Sequence, residues 1–294
     1  MAVELNLEIV KPPPKWRTLL VLGRVSNLPT VWSDCLAAWW LGGGGRVAGL
    51  ALATLAATSL YIGGMFLNDA FDAEFDRHHR RLRPIPSAAI DEGEVWLWGA
   101  GWLAAGVTLV VWMGVTTAIV AAALACFILI YNASHKSITF GPALMGTCRF
   151  LVYLLAAAAG GGELSGRVIW PGLALACYVA GLSCLARKET GSVRPPMWPM
   201  ALLAAPLALS ALFNDDLPWL TALMMAALAG WVAWSVAESF LRTPARLGAT
   251  VSRLLAGIAL VDMLAARQAE RAGVWEFLLF FGAALFLQRF VPAT

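Results

Sequence analysis

Long apolar segments alternate with short polar ones from residue 18 almost to the end of the chain. The apolar segments cover residues 18–41, 47–69, 94–112, 115–134, 142–160, 168–187, 197–213, 217–240, 249–267 and 274–290. A helix of about 20 apolar residues crosses the hydrocarbon core of a bilayer. Glycine and proline stand between several of these segments, as at Gly42 to Gly45 and Pro195-Pro196. The pattern predicts a series of membrane-spanning helices.

Composition agrees with this pattern. Hydrophobic residues make up 60% of the 294 residues and charged residues only 13%, whereas soluble domains average about 45–50% and about 25%. We therefore predict an all-α, polytopic membrane helical bundle in which residues 18–294 form one domain. Residues 1–17 are polar and proline-rich, and are predicted to be a cytoplasmic tail. The net charge of +3 gives no reason to expect nucleic acid as a partner.

Lysine and arginine concentrate on alternate connections between the apolar segments. Such residues mark the cytoplasmic side of membrane proteins. The basic connections carry Lys11, Lys15 and Arg17, then four arginines after the second segment, then Arg187, Lys188 and Arg194, and then Arg242, Arg246 and Arg253. This distribution predicts a multi-pass protein of the cell inner (cytoplasmic) membrane, with the active site facing the cytoplasm.

A row of oxygen-bearing side chains follows the second apolar segment. Asn68, Asp72 and Asp76 are spaced four residues apart, and Asp69 and Glu74 lie between them. On a helix this spacing places the three on one face, roughly 6 Å apart. Carboxylates this close require a cation between them or must take up protons. Hard oxygen ligands in a short row suit Mg²⁺, which completes its shell with water and substrate phosphates.

A cluster of arginines comes directly after this row. Arg77, Arg80, Arg81 and Arg83 lie within seven residues. Guanidinium groups bind phosphate oxygens through paired hydrogen bonds. The acidic row and the basic cluster together could bind a diphosphate, which would contact a metal ion on one side and arginines on the other.

The stretch Asn68-Asp69-x-x-Asp72-x-x-x-Asp76, followed by Arg83-Pro84-Ile85-Pro86-Ser87, resembles the first aspartate-rich motif of the UbiA superfamily of intramembrane prenyltransferases. The resemblance implies about nine transmembrane helices around a central cavity that opens to the cytoplasmic side and laterally to lipid. It also implies Mg²⁺-dependent loss of diphosphate from an isoprenyl diphosphate, after which an acceptor traps the carbocation. The metal ligands would be Asn68, Asp69, Asp72 and Asp76.

Polar residues inside the first apolar segment are further candidates. Arg24 near the bilayer edge is either an anchor at the interface or a contact for a substrate anion, and Asn27 three residues later favours the second. Asp34 lies deep in the segment. It is either functional, as intramembrane acids usually are, or protonated and hydrogen-bonded in the core.

Two later segments add candidate substrate-binding residues. The fourth ends in Tyr131-Asn132-Ala133-Ser134-His135-Lys136, near where the UbiA family usually has a tyrosine and then a lysine. We rank Lys136 above His135 as a diphosphate contact. Arg149 lies well inside the fifth segment, so it should face a cavity or an acid.

The second motif of the family, which usually has two aspartates, is absent. After the sixth segment this chain has Arg187-Lys188-Glu189 and no aspartate. Either the two cations replace a second metal and hold the diphosphate directly, or the site no longer ionises a diphosphate; we favour the first. Together with Ser26 to Thr30 and Met145 to Arg149, this segment resembles the EboC-like branch of the family.

The sequence thus predicts a Mg²⁺-dependent prenyltransferase of the membrane that transfers a prenyl group to a small acceptor of unknown identity. The predicted partners are an isoprenyl diphosphate donor, that acceptor and membrane lipid. An intramembrane terpene cyclase and a non-catalytic lipid-binding or transport protein remain alternatives. The predicted catalytic residues are Asp72, Asp76, Arg83, Lys136, Arg187 and Lys188, and the predicted substrate-binding residues are Arg24, Asn27, Tyr131, Arg149 and Glu189.

Overall fold

The computed structural model describes residues 14–136, 138–187, 198–213, 218–241, 247–269 and 273–293. All regular elements in these ranges are helices. The α-helices are α1 (Lys15–Leu22), α2 (Leu28–Leu41), α3 (Val47–Phe71), α4 (Ala73–His79), α5 (Glu92–Val111), α6 (Val115–Ser134), α7 (Gly141–Ala159), α8 (Gly166–Ala186), α9 (Pro199–Leu203), α10 (Ala205–Phe213), α11 (Trp219–Leu241), α12 (Leu247–Ala256), α13 (Ile258–Ala266) and α14 (Trp275–Leu287). A 3₁₀ turn, Val25–Asn27, separates α1 from α2.

Seven helical stretches of the described chain are long and apolar enough to cross a membrane. They are Val47–Phe71, Glu92–Val111, Val115–Ser134, Gly141–Ala159, Gly166–Ala186, Trp219–Glu238 and Leu247–Ala266, and Trp275–Leu287 is a shorter apolar helix. All ten predicted apolar segments contain helix. The prediction of an all-helical membrane bundle is therefore confirmed.

Three of the ten segments are broken rather than continuous. The first is interrupted near Arg24, whose backbone is left-handed with φ 42°, and α2 then begins with Pro29 in its first turn. The seventh divides into α9 and α10 beside Pro206, which lacks an N–H group for the helix ladder. The ninth divides at Gly257. The first of these breaks places the polar residues Ser26 and Asn27 inside the bundle.

Glycines allow neighbouring helices to approach closely. A Cβ atom on Gly63 of α3 would lie 2.9 Å from the carbonyl oxygen of Gly99 in α5. In the same way, a Cβ atom on Gly146 of α7 would lie 2.4 Å from the carbonyl oxygen of Ala176 in α8. Small residues at such crossings are typical of helices packed in membranes. The α3–α5 and α7–α8 pairs thus form closely packed walls of the bundle.

A cavity of about 950 Å³ lies between α2, α3, α6, α7 and α8. Along α3 and the residue that follows it, the lining runs from Ala57 to Asp72, a separation of 15 positions (72 − 57) or about 22 Å of helix. The end of α3 contributes polar residues, and the rest of the helix contributes mainly apolar ones. The fold therefore joins a long, largely apolar cavity to a charged end.

Candidate active site

The acid row, defined as Asn68, Asp69, Asp72 and Asp76, spans the junction of α3 and α4. The backbone N–H of Asp72 donates to the carbonyl of Asn68 at 3.0 Å, and that of Asp76 donates to the carbonyl of Asp72 at 2.9 Å. Helical hydrogen bonding therefore continues through the junction and keeps the four-residue spacing. Asn68 and Asp72 line the cavity, whereas Asp76 is buried, with 2% of its surface exposed.

Cations from three other segments meet the acid row. Arg24 donates from Nη2 to Asn68 Oδ1 at 3.2 Å and to Asp69 Oδ1 at 3.5 Å. Arg83 donates from Nη1 to the same Asp69 oxygen at 3.3 Å. Lys136 Nζ lies 2.6 Å from Asp72 Oδ1. The break after α1 gives Arg24 this position, because it turns the chain toward the end of α3.

His135 belongs to the same group of side chains. Its Nε2 atom lies 3.5 Å from Asp72 Oδ1, and its ring stacks on Tyr131 with centroids 5.0 Å apart. From the sequence we rank Lys136 above His135 as a contact for the diphosphate, and the structure places both residues beside Asp72. Tyr131, His135 and Lys136 all line the cavity. The end of α6 therefore presents an aromatic ring and two basic groups to the acid row.

The surroundings of Asp72 and Asp76 shift the pKa values of their carboxyl groups in opposite directions. Burial raises the pKa of the Asp72 carboxyl, but His135 and Lys136 outweigh this effect through hydrogen bonds and charge, so its pKa lies below the usual value. Burial raises the pKa of Asp76, and the charges of Arg83 and Arg80 offset this only in part. Asp72 is therefore a stable anion at neutral pH, whereas Asp76 ionises less readily.

The acid row fits a divalent metal ion only in part. Asp76 Oδ1 is buried with no hydrogen-bond partner among the described residues, and the row supplies the hard oxygen ligands that Mg²⁺ prefers. However, no group of three or more His, Cys, Asp or Glu side chains within the described ranges is already arranged around one metal position. The row fits an ion that takes the rest of its shell from phosphate or water oxygens.

Arg187, predicted from the sequence to bind the diphosphate, is hydrogen-bonded to the backbone of a neighbouring connection. Its guanidinium donates to the backbone carbonyls of Thr139, His135 and Ile138 at 3.0, 3.2 and 3.1 Å. These carbonyls belong to the connection between α6 and α7, which also carries Lys136. Arg187 lines the cavity, but its hydrogen bonds hold this connection in place. Lys188 and Glu189, the other two predicted residues of this segment, lie outside the described residues.

Arg149 both lines the cavity and pairs with an acid. Its Nη1 donates to Asp34 Oδ2 at 2.5 Å and its Nη2 donates to Thr30 Oγ1 at 3.1 Å. Asp34 is fully buried. From the sequence, Asp34 is either a functional residue or a hydrogen-bonded core residue. In the structure it is the ion-pair partner of Arg149.

Three polar residues in or near the cavity are not among the candidates that the sequence indicates. Asp262 is fully buried and accepts hydrogen bonds from Ser33 and Tyr153. Asn132 bonds Asn68 at 3.3 Å, and Tyr61 accepts from Asn27 at 3.2 Å. The sequence could have indicated Asp262, because it is a carboxylate within an apolar segment, as Asp34 is. Nothing in the sequence distinguishes Tyr61, because a single tyrosine in an apolar segment is common.

Solved membrane proteins share this fold. A structure of digeranylgeranylglyceryl phosphate synthase is similar over 92% of this chain and 99% of its own, with a TM-score of 0.58 and 20% identity. The apo structure of a UbiA homologue from Aeropyrum pernix K1 is similar over 92% and 97%, with a TM-score of 0.51 and 19% identity. A UbiA homologue from Archaeoglobus fulgidus bound to DMAPP and Mg²⁺ is similar over 92% and 98%, with a TM-score of 0.53 and 12% identity.

At these identities the similarity establishes the fold only. No curated protein sequence matches this chain. The model of the UbiA prenyltransferase family, however, matches residues 26–261, which include the acid row, two of its cation partners, Arg83 and Lys136, and the buried pair of Asp34 and Arg149. This match covers most of the chain, and the chain therefore belongs to the UbiA prenyltransferase family.

Proposed function

We propose that this protein is a Mg²⁺-dependent intramembrane prenyltransferase that ionises an isoprenyl diphosphate and passes the prenyl group to a small acceptor. The observation that carries the proposal is the contact of the acid row with three cations at one end of an otherwise mainly apolar cavity: Arg24 contacts Asn68, Arg83 contacts Asp69, and Lys136 contacts Asp72. A lipid diphosphate has the same division between a charged head and an apolar chain. Family membership supports the same reaction class.

Asn68, Asp72 and Asp76 would hold the metal ion, and Asp69 would position Arg24 and Arg83 beside it. Similar structures from Archaeoglobus fulgidus contain Mg²⁺ with DMAPP or GPP, which supports a divalent ion here. When bound, the ion would offset the negative charge that develops on the leaving phosphate oxygens. Asp72 suits this role because its carboxyl remains ionised at neutral pH.

The cations would bind the diphosphate by exchanging partners. Arg24, Arg83 and Lys136 contact carboxylate or amide oxygens of the acid row. Phosphate oxygens offer stronger, multiply charged acceptors to the same donors. A diphosphate would draw these cations toward itself and leave the carboxylates free for the metal ion. The same fixed charges would then stabilise the leaving diphosphate as the carbon–oxygen bond breaks.

The apolar part of the cavity would hold the prenyl chain. Leu124 and Ile128 of α6 and Val179 and Leu182 of α8 line it. These side chains offer neither a nucleophile nor a proton acceptor, so an allylic cation formed beside them would survive until the acceptor reacts. With a donor bound, this apolar lining would keep water away and so protect the cation from hydrolysis.

We also propose the finer assignments made from the sequence: the EboC-like branch, a location in the cytoplasmic membrane, and a charged end that faces the cytoplasm. The lysine and arginine distribution supports the orientation. The described part of the basic segment after α8 supplies one cation, Arg187, to the connection between α6 and α7. Lys188 and Glu189 keep their proposed roles at the diphosphate as inferences from the sequence.

Diphosphate release is the direct test of this function. We expect the full chain in detergent to release diphosphate from at least one isoprenyl diphosphate of ten to twenty carbons when Mg²⁺ is present. EDTA should reduce the rate at least about 10²-fold, because a metal ion supplies several kcal/mol of charge stabilisation. Product analysis with and without an added acceptor separates transfer from cyclisation. Failure of all these donors both to bind and to react would contradict the proposal.

Arg187 is expected to act through the connection that it holds. Arg187→Met should raise KM for the diphosphate donor about tenfold. The substitution removes hydrogen bonds worth about 1–2 kcal/mol, and the connection that carries Lys136 then becomes less well fixed. It should change kcat less. Arg187→Lys should not restore KM, because one ammonium group cannot reproduce a planar fork that reaches three carbonyls. Steady-state kinetics test this, and a loss of kcat at constant KM would instead indicate direct contact with the leaving group.

A further inference from the structure

Three polar side chains form a wall inside the cavity, away from the acid row. This polar wall consists of Asn27 at the start of α2, Tyr61 of α3 and Arg149 of α7, all of which line the cavity. Asn27 donates from Nδ2 to the Tyr61 hydroxyl at 3.2 Å, and the Arg149 guanidinium lies 5.8 Å from the Tyr61 ring centroid. Tyr61 precedes Asn68 by seven residues on α3, so the wall begins about 10 Å along the helix from the acid row.

The polar wall has hydrogen-bonding capacity that the described residues leave unused. A guanidinium carries five N–H donors, and Arg149 donates to only two described acceptors, Asp34 and Thr30. The Tyr61 hydroxyl accepts from Asn27 but donates to no acceptor in the described part of the chain. Asn27 Oδ1 is buried and has no partner among the same residues. Unmet donors and an unmet acceptor in a buried cavity are costly unless a bound molecule satisfies them.

The charges around the wall argue against an anionic ligand. Arg149 is 7% exposed and paired with Asp34, and a second fully buried carboxyl, Asp262, lies in the same hydrogen-bonded network through Ser33, the neighbour of Asp34. One guanidinium thus faces two carboxyl groups in a region of low dielectric. A further carboxylate would add negative charge, and the three residues of the wall include no second cation to balance it.

The remaining lining separates two kinds of surface within one cavity. Away from the end of α6, Leu124 and Ile128 of α6 and Val179 and Leu182 of α8 form an apolar part of the lining. The polar wall comes instead from α2, α3 and α7. A prenyl chain would lose nothing against the first surface, but it would leave the hydrogen-bonding groups of the second unsatisfied. The second surface therefore suits a different molecule.

We propose that the polar wall is the acceptor subsite and that it selects an uncharged acceptor bearing a hydroxyl group. A hydroxyl both donates and accepts, so it can meet Asn27 Oδ1 with its hydrogen and a guanidinium or tyrosine donor with its oxygen. This assignment rests on the proposed prenyl transfer, and it names the substrate class that would receive the prenyl group. It leaves the acid row to the diphosphate donor.

Three probes of similar size test the assignment: 2-naphthol, which is neutral with a hydroxyl; 2-naphthoate, which carries a carboxylate; and naphthalene, which has no polar group. Equilibrium binding to the full chain in detergent at pH 7 is measured for each, and geranyl diphosphate binding with Mg²⁺ is measured in parallel. We expect 2-naphthol to bind about tenfold or more tightly than either of the others. Tyr61→Phe should abolish that preference.

Tyr178→Phe is the matched control, because the Tyr178 hydroxyl is buried outside the cavity lining and donates to the Leu254 carbonyl at 2.9 Å. It should keep the preference for 2-naphthol. Equal binding of all three probes, tighter binding of 2-naphthoate, or an unchanged preference in Tyr61→Phe would overturn the subsite. Loss of geranyl diphosphate binding alone, with the preference intact, would instead contradict the donor site and leave the polar wall as a site for hydroxyl compounds.

Discussion

Asp72→Asn is expected to reduce Mg²⁺-dependent diphosphate release by at least about 10²-fold, the scale at which single electrostatic groups act in active sites. Asparagine keeps the shape of the side chain but removes its negative charge. Asp72 lines the cavity, contacts both His135 and Lys136, and has a lowered pKa. The substitution therefore removes the carboxylate that is best placed to bind the metal ion.

Glu74→Gln is the matched control for this experiment. Glu74 lies two residues away in α4, is exposed, and pairs with Arg77 at 3.0 Å. The same loss of one carboxylate charge at this position should leave the rate unchanged. A Mg²⁺ titration of both variants adds a second readout, because Asp72→Asn should require more Mg²⁺ for half-maximal release. Equal rates in the two variants would remove Asp72 from the metal site.

The membrane helices and the spacing of the acid row could be predicted from the sequence, because each depends only on residues that are close together in the chain. A run of about 20 apolar residues favours a membrane helix wherever it occurs, and all ten runs contain helix. The four-residue spacing of Asn68, Asp72 and Asp76 is a property of one helix, and helical hydrogen bonds do run through it. Each inference needed only neighbouring residues.

The partners of these residues could not be predicted, because they come from distant parts of the chain. Arg24 reaches Asn68 across 44 positions, and Arg149 reaches Asp34 across 115. The break after α1 that turns Arg24 inward depends on a left-handed residue that apolar patterning does not reveal. The charge of Arg187 predicts a contact with diphosphate, but it gives no sign of the hydrogen bonds to three backbone carbonyls, which only the folded chain brings together.

Asp34→Ala is expected to destabilise the protein by about 3–5 kcal/mol, the usual cost of removing one partner from a buried ion pair. It leaves the Arg149 guanidinium, which is 7% exposed, without its carboxylate in the middle of the bundle. Asp262 does not simply replace Asp34, because both its oxygens already accept hydrogen bonds, from Ser33 and Tyr153. Thermal unfolding of the detergent-solubilised protein, followed by circular dichroism, measures the loss.

The double variant Asp34→Leu/Arg149→Met separates the effect of an unpaired charge from that of lost packing. Both replacements are apolar; Leu repeats the branched heavy-atom skeleton of Asp, and Met follows the unbranched stem of Arg. Apolar replacements of buried pairs are often neutral or stabilising. We expect the double variant to recover most of the stability lost in Asp34→Ala. Arg77→Met, which breaks an exposed pair with Glu74 and Glu92, should cause no measurable change. If the double variant were as unstable as Asp34→Ala, the cost would lie in packing, and the buried pair would not be what fixes Arg149 beside the cavity.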